Sequence, residues 1–210
     1  MTIDMSKANT NFSSQPLLQI DLSAVVRNYQ ALAKRAGSAK VGASVKADAY
    51  GIGAERIGRV LFDQGCRTFF VAHALEGAAL RRATSDQAEI YVFSGPTPGD
   101  YPLFFGENLK PVLNSKAQAD LWNEVSQGRH NHPPAAALHF DTGINRLGIP
   151  EDEQAYFLTQ PYQFDIDLVL SHLACSALPD HELNAAQLAR FQEIAKNYPD
   201  IRKSLANTGG

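Results

Sequence analysis

Residues 41–53 read Val41-Gly42-Ala43-Ser44-Val45-Lys46-Ala47-Asp48-Ala49-Tyr50-Gly51-Ile52-Gly53. The run 41–46 is short, small and apolar, as a buried strand would be, and it ends on a lysine. A polar, glycine-bearing loop follows. The same grammar recurs along the chain. Residues 68–73, 89–93, 110–114, 135–141, 166–172 and 203–207 read as further strands, with His73, Ser94, Asn114, Asp141, His172 and Asn207 at or just past their C-terminal ends. Helical spacing fills the intervals. Leu22, Val25, Val26, Tyr29, Leu32, Ala33 and Ala36 recur on one face, with Asp21 or Ser23 as cap and Gly37 as stop. Shorter helices are expected at 57–65, 75–83, 101–106, 115–127 and 151–158, and a long one at 180–197. Ser115 and Gln118 have the spacing of a capping box.

Strands made of apolar runs rather than clean alternations suit a parallel sheet covered by helices. A (β/α)₈ barrel and a doubly wound open sheet both fit such a repeat. Polar residues at nearly every strand's C-terminal end favour the barrel, where all those ends share one rim. Gly51 and Gly53 lack the third glycine of a dinucleotide-binding loop. The expected fold is therefore α/β, a TIM-like barrel over residues 16–210 that stops before its last strand. Residues 1–15 are polar, lack the apolar stretch of a secretory signal, and are expected to be a disordered lead-in.

Apolar residues make up 44% and charged residues 20%, which allows a substantial core without staples. A net charge of −3 and the absence of any Lys/Arg run argue against nucleic-acid binding. No apolar run is long enough to span a bilayer. Cys66 and Cys175 stand far apart and outside any metal-ligand spacing, as expected of free thiols in a reducing cytoplasm. His130 and His132 flank a Pro-Pro loop and read as solvent-exposed, not as a metal pair.

Lys46 projects into the expected barrel mouth, where an amine suits a Schiff base; pairing with Asp48 is the plainer role. Tyr50 and the glycines after it suit a phosphorylated cofactor. His172 could stack on a cofactor ring or shuttle a proton, or be a satisfied core histidine. Arg146 could grip an anionic oxygen, or close its loop on Asp141. Residues 207–210, Asn-Thr-Gly-Gly, allow close approach to an anion or form a plain turn. His139 points inward or outward by parity alone, which the sequence leaves open.

Together these segments resemble the alanine racemase family. The resemblance is carried, in chain order, by Leu18-Gln19-Ile20-Asp21-Leu22-Ser23-Ala24, Lys46-Ala47-Asp48-Ala49-Tyr50-Gly51, residues 141–148, Ser171-His172-Leu173-Ala174-Cys175 and residues 204–210. It implies a pyridoxal 5'-phosphate enzyme racemising alanine and supplying D-alanine for peptidoglycan. Lys46 is then the covalent anchor and one acid–base group, and Tyr50 and Thr208 hold the phosphate. His172 packs on the pyridine ring, Asn207 lines the pocket, and Arg146 steers a tyrosine that acts as second base. That tyrosine belongs to a later β domain and reaches across a homodimer, so by this resemblance the 210 residues alone are inactive. Two departures stand out: Ile52 follows Tyr50-Gly51 where relatives commonly have His, and His139 occupies the place of a carbamylated lysine. A non-catalytic cofactor-binding barrel, a racemase of another amino acid and a decarboxylase of the same barrel type stay open as alternatives.

Overall fold

The computed structural model describes residues 16–127, 133–159 and 161–210. His130, His132 and residues 1–15 lie outside these. The described chain alternates strand and helix: α1 Leu22–Ala36, β1 Ala43–Ser44, α2 Lys46–Gly51, α3 Ala54–Asp63, β2 Thr68–Val71, α4 Ala74–Ala83, β3 Glu89–Val92, α5 Tyr101–Gly106, β4 Leu109–Leu113, α6 Lys116–Ser126, β5 Ala136–His139, α7 Gln154–Thr159, β6 Ile166–Leu170, α8 Glu182–Ala195 and β7 Arg202–Ser204. Asp21, not Ser23, caps α1, its carboxylate accepting from the Ser23 and Ala24 amides at 2.8 and 3.2 Å. Ser115 caps α6, but Gln118 turns its carbonyl to the Asn114 amide at 2.8 Å, so the expected box is reciprocal one residue early.

The seven strands lie in chain order, and every neighbouring pair is parallel. Each crossover therefore steps the same way. A doubly wound sheet would reverse direction at a switch point, and this one does not. The sheet is also curled. Arg202 on β7 grips Glu89 on β3 through two hydrogen bonds of 2.7 and 2.8 Å. On a flat sheet, four strand spacings of about 4.8 Å would hold those strands roughly 19 Å apart. Only curling toward a barrel brings them within side-chain reach.

The barrel interior is layered. At the strands' N-terminal end, Lys110 pairs with Glu89 and Asp167, and Arg202 pairs with the same two carboxylates. The Tyr91 hydroxyl donates to Asp167 at 2.9 Å and accepts from Arg202 at 2.8 Å. Asp167 reaches this cluster because a bulge inserts it: Ala136 faces Ile166, whereas Ala137 faces Leu168. Burial opposes ionisation of Glu89, but its bonds to Arg202 and Lys110 win and hold its carboxyl at about 2. Above the charges, Phe70 stacks between Tyr91 and Phe93, with ring centroids 5.3 and 5.2 Å away. A second, larger apolar core, including Phe69, Ile90, Leu109, Leu138 and Val169, fills the space between sheet and helices.

The expected strand 41–46 is shorter than its sequence implies. Pairing with β2 covers Ala43 and Ser44 alone, because the chain leaves the sheet immediately afterwards. The expected polar loop is a left-handed helical turn. Ala47, Asp48, Ala49 and Tyr50 have φ of 51, 53, 52 and 58°. Left-handed conformation costs L-residues about 1–2 kcal/mol each, so the turn stores strain that its surroundings must hold.

Candidate active site

Parallel strands place their C-terminal ends on one edge, and the reactive residues gather there. Lys46 lies two residues beyond β1, half-buried, its ammonium 5.8 Å from the Phe93 ring centroid. It makes no ion pair with Asp48. The Asp48 carboxylate accepts instead from the Ala54 amide at 2.7 Å, closing the left-handed turn onto α3. Glu76 on α4 supports the turn from the other side, accepting from the Ala47 amide at 2.9 Å and the Ala72 amide at 2.7 Å. One carboxylate thus ties the ends of β1 and β2 together and fixes where Lys46 emerges. Tyr50 is largely exposed, and its hydroxyl lies 3.4 Å from Ser44 Oγ.

Removing the Glu76 carboxylate has a definite expected result. Charge-assisted bonds contribute about 1.5–3 kcal/mol each, but partial exposure reduces this. Glu76→Ala should cost about 2–3 kcal/mol and Glu76→Gln about half as much, read from urea unfolding. Amide exchange at Ala47 and Ala72 should accelerate with it. Unchanged exchange at both amides would show that the turn stands without Glu76.

Arg146 sits on the loop between β5 and the β-bridge from Phe140 to Ile149. Asp141 does not pair with it. The Asp141 carboxylate is spent on the amides of Gly143, Ile144 and Asn145, at 2.8, 2.9 and 3.2 Å. The loop closes tightly: Gly148 has φ of 125°, and a Cβ there would lie 2.8 Å from the Asp141 nitrogen. Among the described residues, neither Lys46 nor Arg146 has an ion-pair partner. Two uncompensated cations on one rim suit an anionic ligand.

His172, two residues past β6, is half-buried. Burial, then the charges of Arg146 and Lys46, push its imidazole below the ordinary histidine range. Both cations are therefore near it, and its ring makes no hydrogen bond among the described residues. The backbone behind it is anchored by buried Gln187 on α8, which donates to the His172 carbonyl at 2.8 Å and accepts from the Ala174 amide at 2.8 Å. Gln187 also donates to Thr142 Oγ1 at 3.2 Å, and Thr142 Oγ1 lies 2.7 Å from Ser171 Oγ. Asn207 and Thr208 follow β7 on the same edge, with Asn207 Oδ1 accepting from the Gly209 amide at 3.1 Å. His139 resolves inward, on the face that Ala137 and Leu170 share.

Glu76, Gln187 and Phe93 were not singled out as candidates from the sequence. Glu76 carried a weak signal, an acid in the first turn of a helix following a strand. Gln187 carried one too, as a polar residue among the apolar positions of a helix.

A family model described as alanine racemase, N-terminal domain, matches residues 20–210. The biosynthetic alanine racemase of Agrobacterium fabrum is 42% identical over 203 residues, covering 95% of this chain and 51% of the relative. The alanine racemase of Rhizobium meliloti is 40% identical over 201 residues, covering 94% and 52%. Among solved structures, alanine racemase from Bartonella henselae, with covalently bound pyridoxal phosphate, is similar with a TM-score of 0.86 at 32% identity, covering 91% of this chain and 56% of that one. The enzyme from Streptomyces coelicolor gives 0.79 at 26%, covering 90% and 53%. The chain spans about half the length of the curated relatives it matches.

Proposed function

The chain belongs to the alanine racemase family through its N-terminal domain, and on that premise we propose that it is the cofactor-bearing barrel of a pyridoxal-phosphate enzyme interconverting L-alanine and D-alanine. The observation that carries this reading is Lys46 without an ion-pair partner among the described residues, at a strand end over Phe93, with its charge and that of Arg146 reaching His172.

The residues present fit the cofactor. An amine and a guanidinium that lack counterions among the described residues match an aldehyde-bearing phosphate ester. The segment 207–210 runs close beside 176: a Cβ on Gly209 would lie 2.8 Å from the Ser176 carbonyl oxygen. Lys46 is the covalent anchor in this reading, Tyr50 and Thr208 hold the phosphate, and Asn207 and His172 line the pocket. Bound there, the cofactor supplies a conjugated ring that spreads the negative charge left when Cα loses its proton.

The chain's own residues do the rest. The Lys46 amine takes or returns the Cα proton on one face. In this reading His172, whose charging is disfavoured by burial and by its cationic neighbours, would line the ring's side of the pocket. Arg146 offers hydrogen-bond donors to an anionic oxygen and, never deprotonating, competes for no proton. Racemisation needs a second acid–base group on the opposite face. In this reading a tyrosine outside the barrel, from the partner subunit of a homodimer, fills that role. The enzyme is cytoplasmic, and its D-alanine supplies peptidoglycan.

The test is Cα-proton exchange. The protein as its gene encodes it, given pyridoxal phosphate and L-alanine in D₂O, should exchange the Cα proton and yield equal amounts of the two enantiomers. Cofactor binding without Cα exchange would identify a non-catalytic barrel. Faster turnover of another amino acid would reassign the substrate.

A further inference from the structure

Gln187 stands near the middle of α8 and is fully buried. Its place follows from how β5 and β6 part. The parallel ladder between them runs up to the Phe140 amide, which donates to the Leu170 carbonyl at 2.9 Å. The next step of such a ladder falls two residues further along each strand. There the Thr142 backbone would take the His172 carbonyl and the Ala174 amide. It does not, because the turn closed by the Asp141 carboxylate carries the chain out of the ladder.

The Gln187 carboxamide occupies that step instead. Its nitrogen donates to the His172 carbonyl at 2.8 Å, and its oxygen accepts from the Ala174 amide at 2.8 Å. One N–H and one C=O, offered to the carbonyl of one residue and the amide two residues on, are what a parallel strand residue provides. The same helix also satisfies Thr142. The second Gln187 N–H donates to Thr142 Oγ1 at 3.2 Å, and Arg190 donates to the Thr142 carbonyl at 2.8 Å. Thr142 Oγ1 in turn lies 2.7 Å from Ser171 Oγ. The carboxamide thus uses both donors and its acceptor, a combination that neither a carboxylate nor an aliphatic chain can supply.

We infer that Gln187 is a positioning residue: its carboxamide replaces the strand partner that β6 lacks at the rim and so fixes the backbone that carries His172. The inference takes from the proposed function only that His172 lines the pocket. Its test needs neither cofactor nor turnover, so the two readings fail separately.

Residue-resolved amide exchange and a histidine NMR titration of the protein as its gene encodes it provide the test. In the wild type, the Ala174 amide should exchange about tenfold more slowly than that of Leu173, relative to their intrinsic rates, as one hydrogen bond implies. Gln187→Met, similar in length but without an amide, should erase that difference. It should also raise the His172 midpoint toward the ordinary histidine range, because the ring loses burial beside Arg146 and Lys46. Gln187→Asn, which keeps the amide but falls one methylene short, carries the same expectation if the methionine variant does not fold. Phe191→Leu, a change to a buried side chain on the same helix, should lower stability and leave both readouts in place. An unprotected Ala174 amide in the wild type would overturn the inference. So would an Ala174 amide or a His172 midpoint that ignores the Gln187 variants, or one that moves equally in Phe191→Leu.

Discussion

Replacing Lys46 with alanine should lower racemisation by about 10⁴-fold, the upper end of what one acid–base group contributes, because the same side chain also anchors the cofactor. The fold should survive. Lys46 is half-buried and has no ion-pair partner among the described residues, so its loss should change stability by no more than about 0.5 kcal/mol. Lys46→Arg should be as inactive as the alanine variant. A guanidinium does not give up its proton and is no nucleophile toward a carbonyl. Circular dichroism and urea midpoints beside the rate separate loss of chemistry from loss of fold. Substantial turnover by either variant would remove Lys46 from the mechanism.

The second large effect lies at the opposite end of the barrel. Glu89→Gln leaves Lys110 and Arg202 sharing one carboxylate, Asp167. Breaking a buried pair costs about 3–5 kcal/mol. Glu89 and Arg202 are roughly a third exposed, so about 3 kcal/mol is expected at pH 7. The pH dependence follows from the sign of the shift. The Glu89 carboxyl is lowered from 4.5 to about 2 in the folded protein. Its contribution is full above about 4.5 and disappears as pH falls through about 2. The stability gap between wild type and Glu89→Gln should therefore close across that window, and urea midpoints measured between pH 7 and 2 check it. A gap that stays constant into acid would mean that the network contributes through packing, not charge.

How much of this was legible in the sequence depends on how local the cause was. Residues 22–36 read as a helix because their apolar spacing and Asp21 cap are local signals, and α1 occupies that stretch. The strands were legible as short apolar runs between helices, and their order follows from a β–α repeat that never reverses. The left-handed turn was not legible. Ala47, Asp48, Ala49 and Tyr50 carry no glycine-like signature, and the carboxylate bonded to the Ala47 amide is 29 residues away, on Glu76. The charged layer was hidden for a related reason. Glu89, Lys110 and Arg202 each stand at a strand's start, where a solvated charge is the ordinary reading, and the bulge at Asp167 breaks the alternation that would have marked an inward face. For Lys46, Arg146 and His172, the sequence suggested a shared rim. The plainer partners, Asp48 and Asp141, could be set aside only when both carboxylates were seen bonded to backbone amides.

Borohydride reduction of the protein loaded with pyridoxal phosphate, followed by peptide mapping, tests most directly whether the Lys46 rim is the cofactor site. The label should fall on Lys46 alone, in the peptide that contains Tyr50, and Lys46→Ala should take up none. A label on Lys40 or Lys203, or an undiminished label on Lys46→Ala, would contradict it.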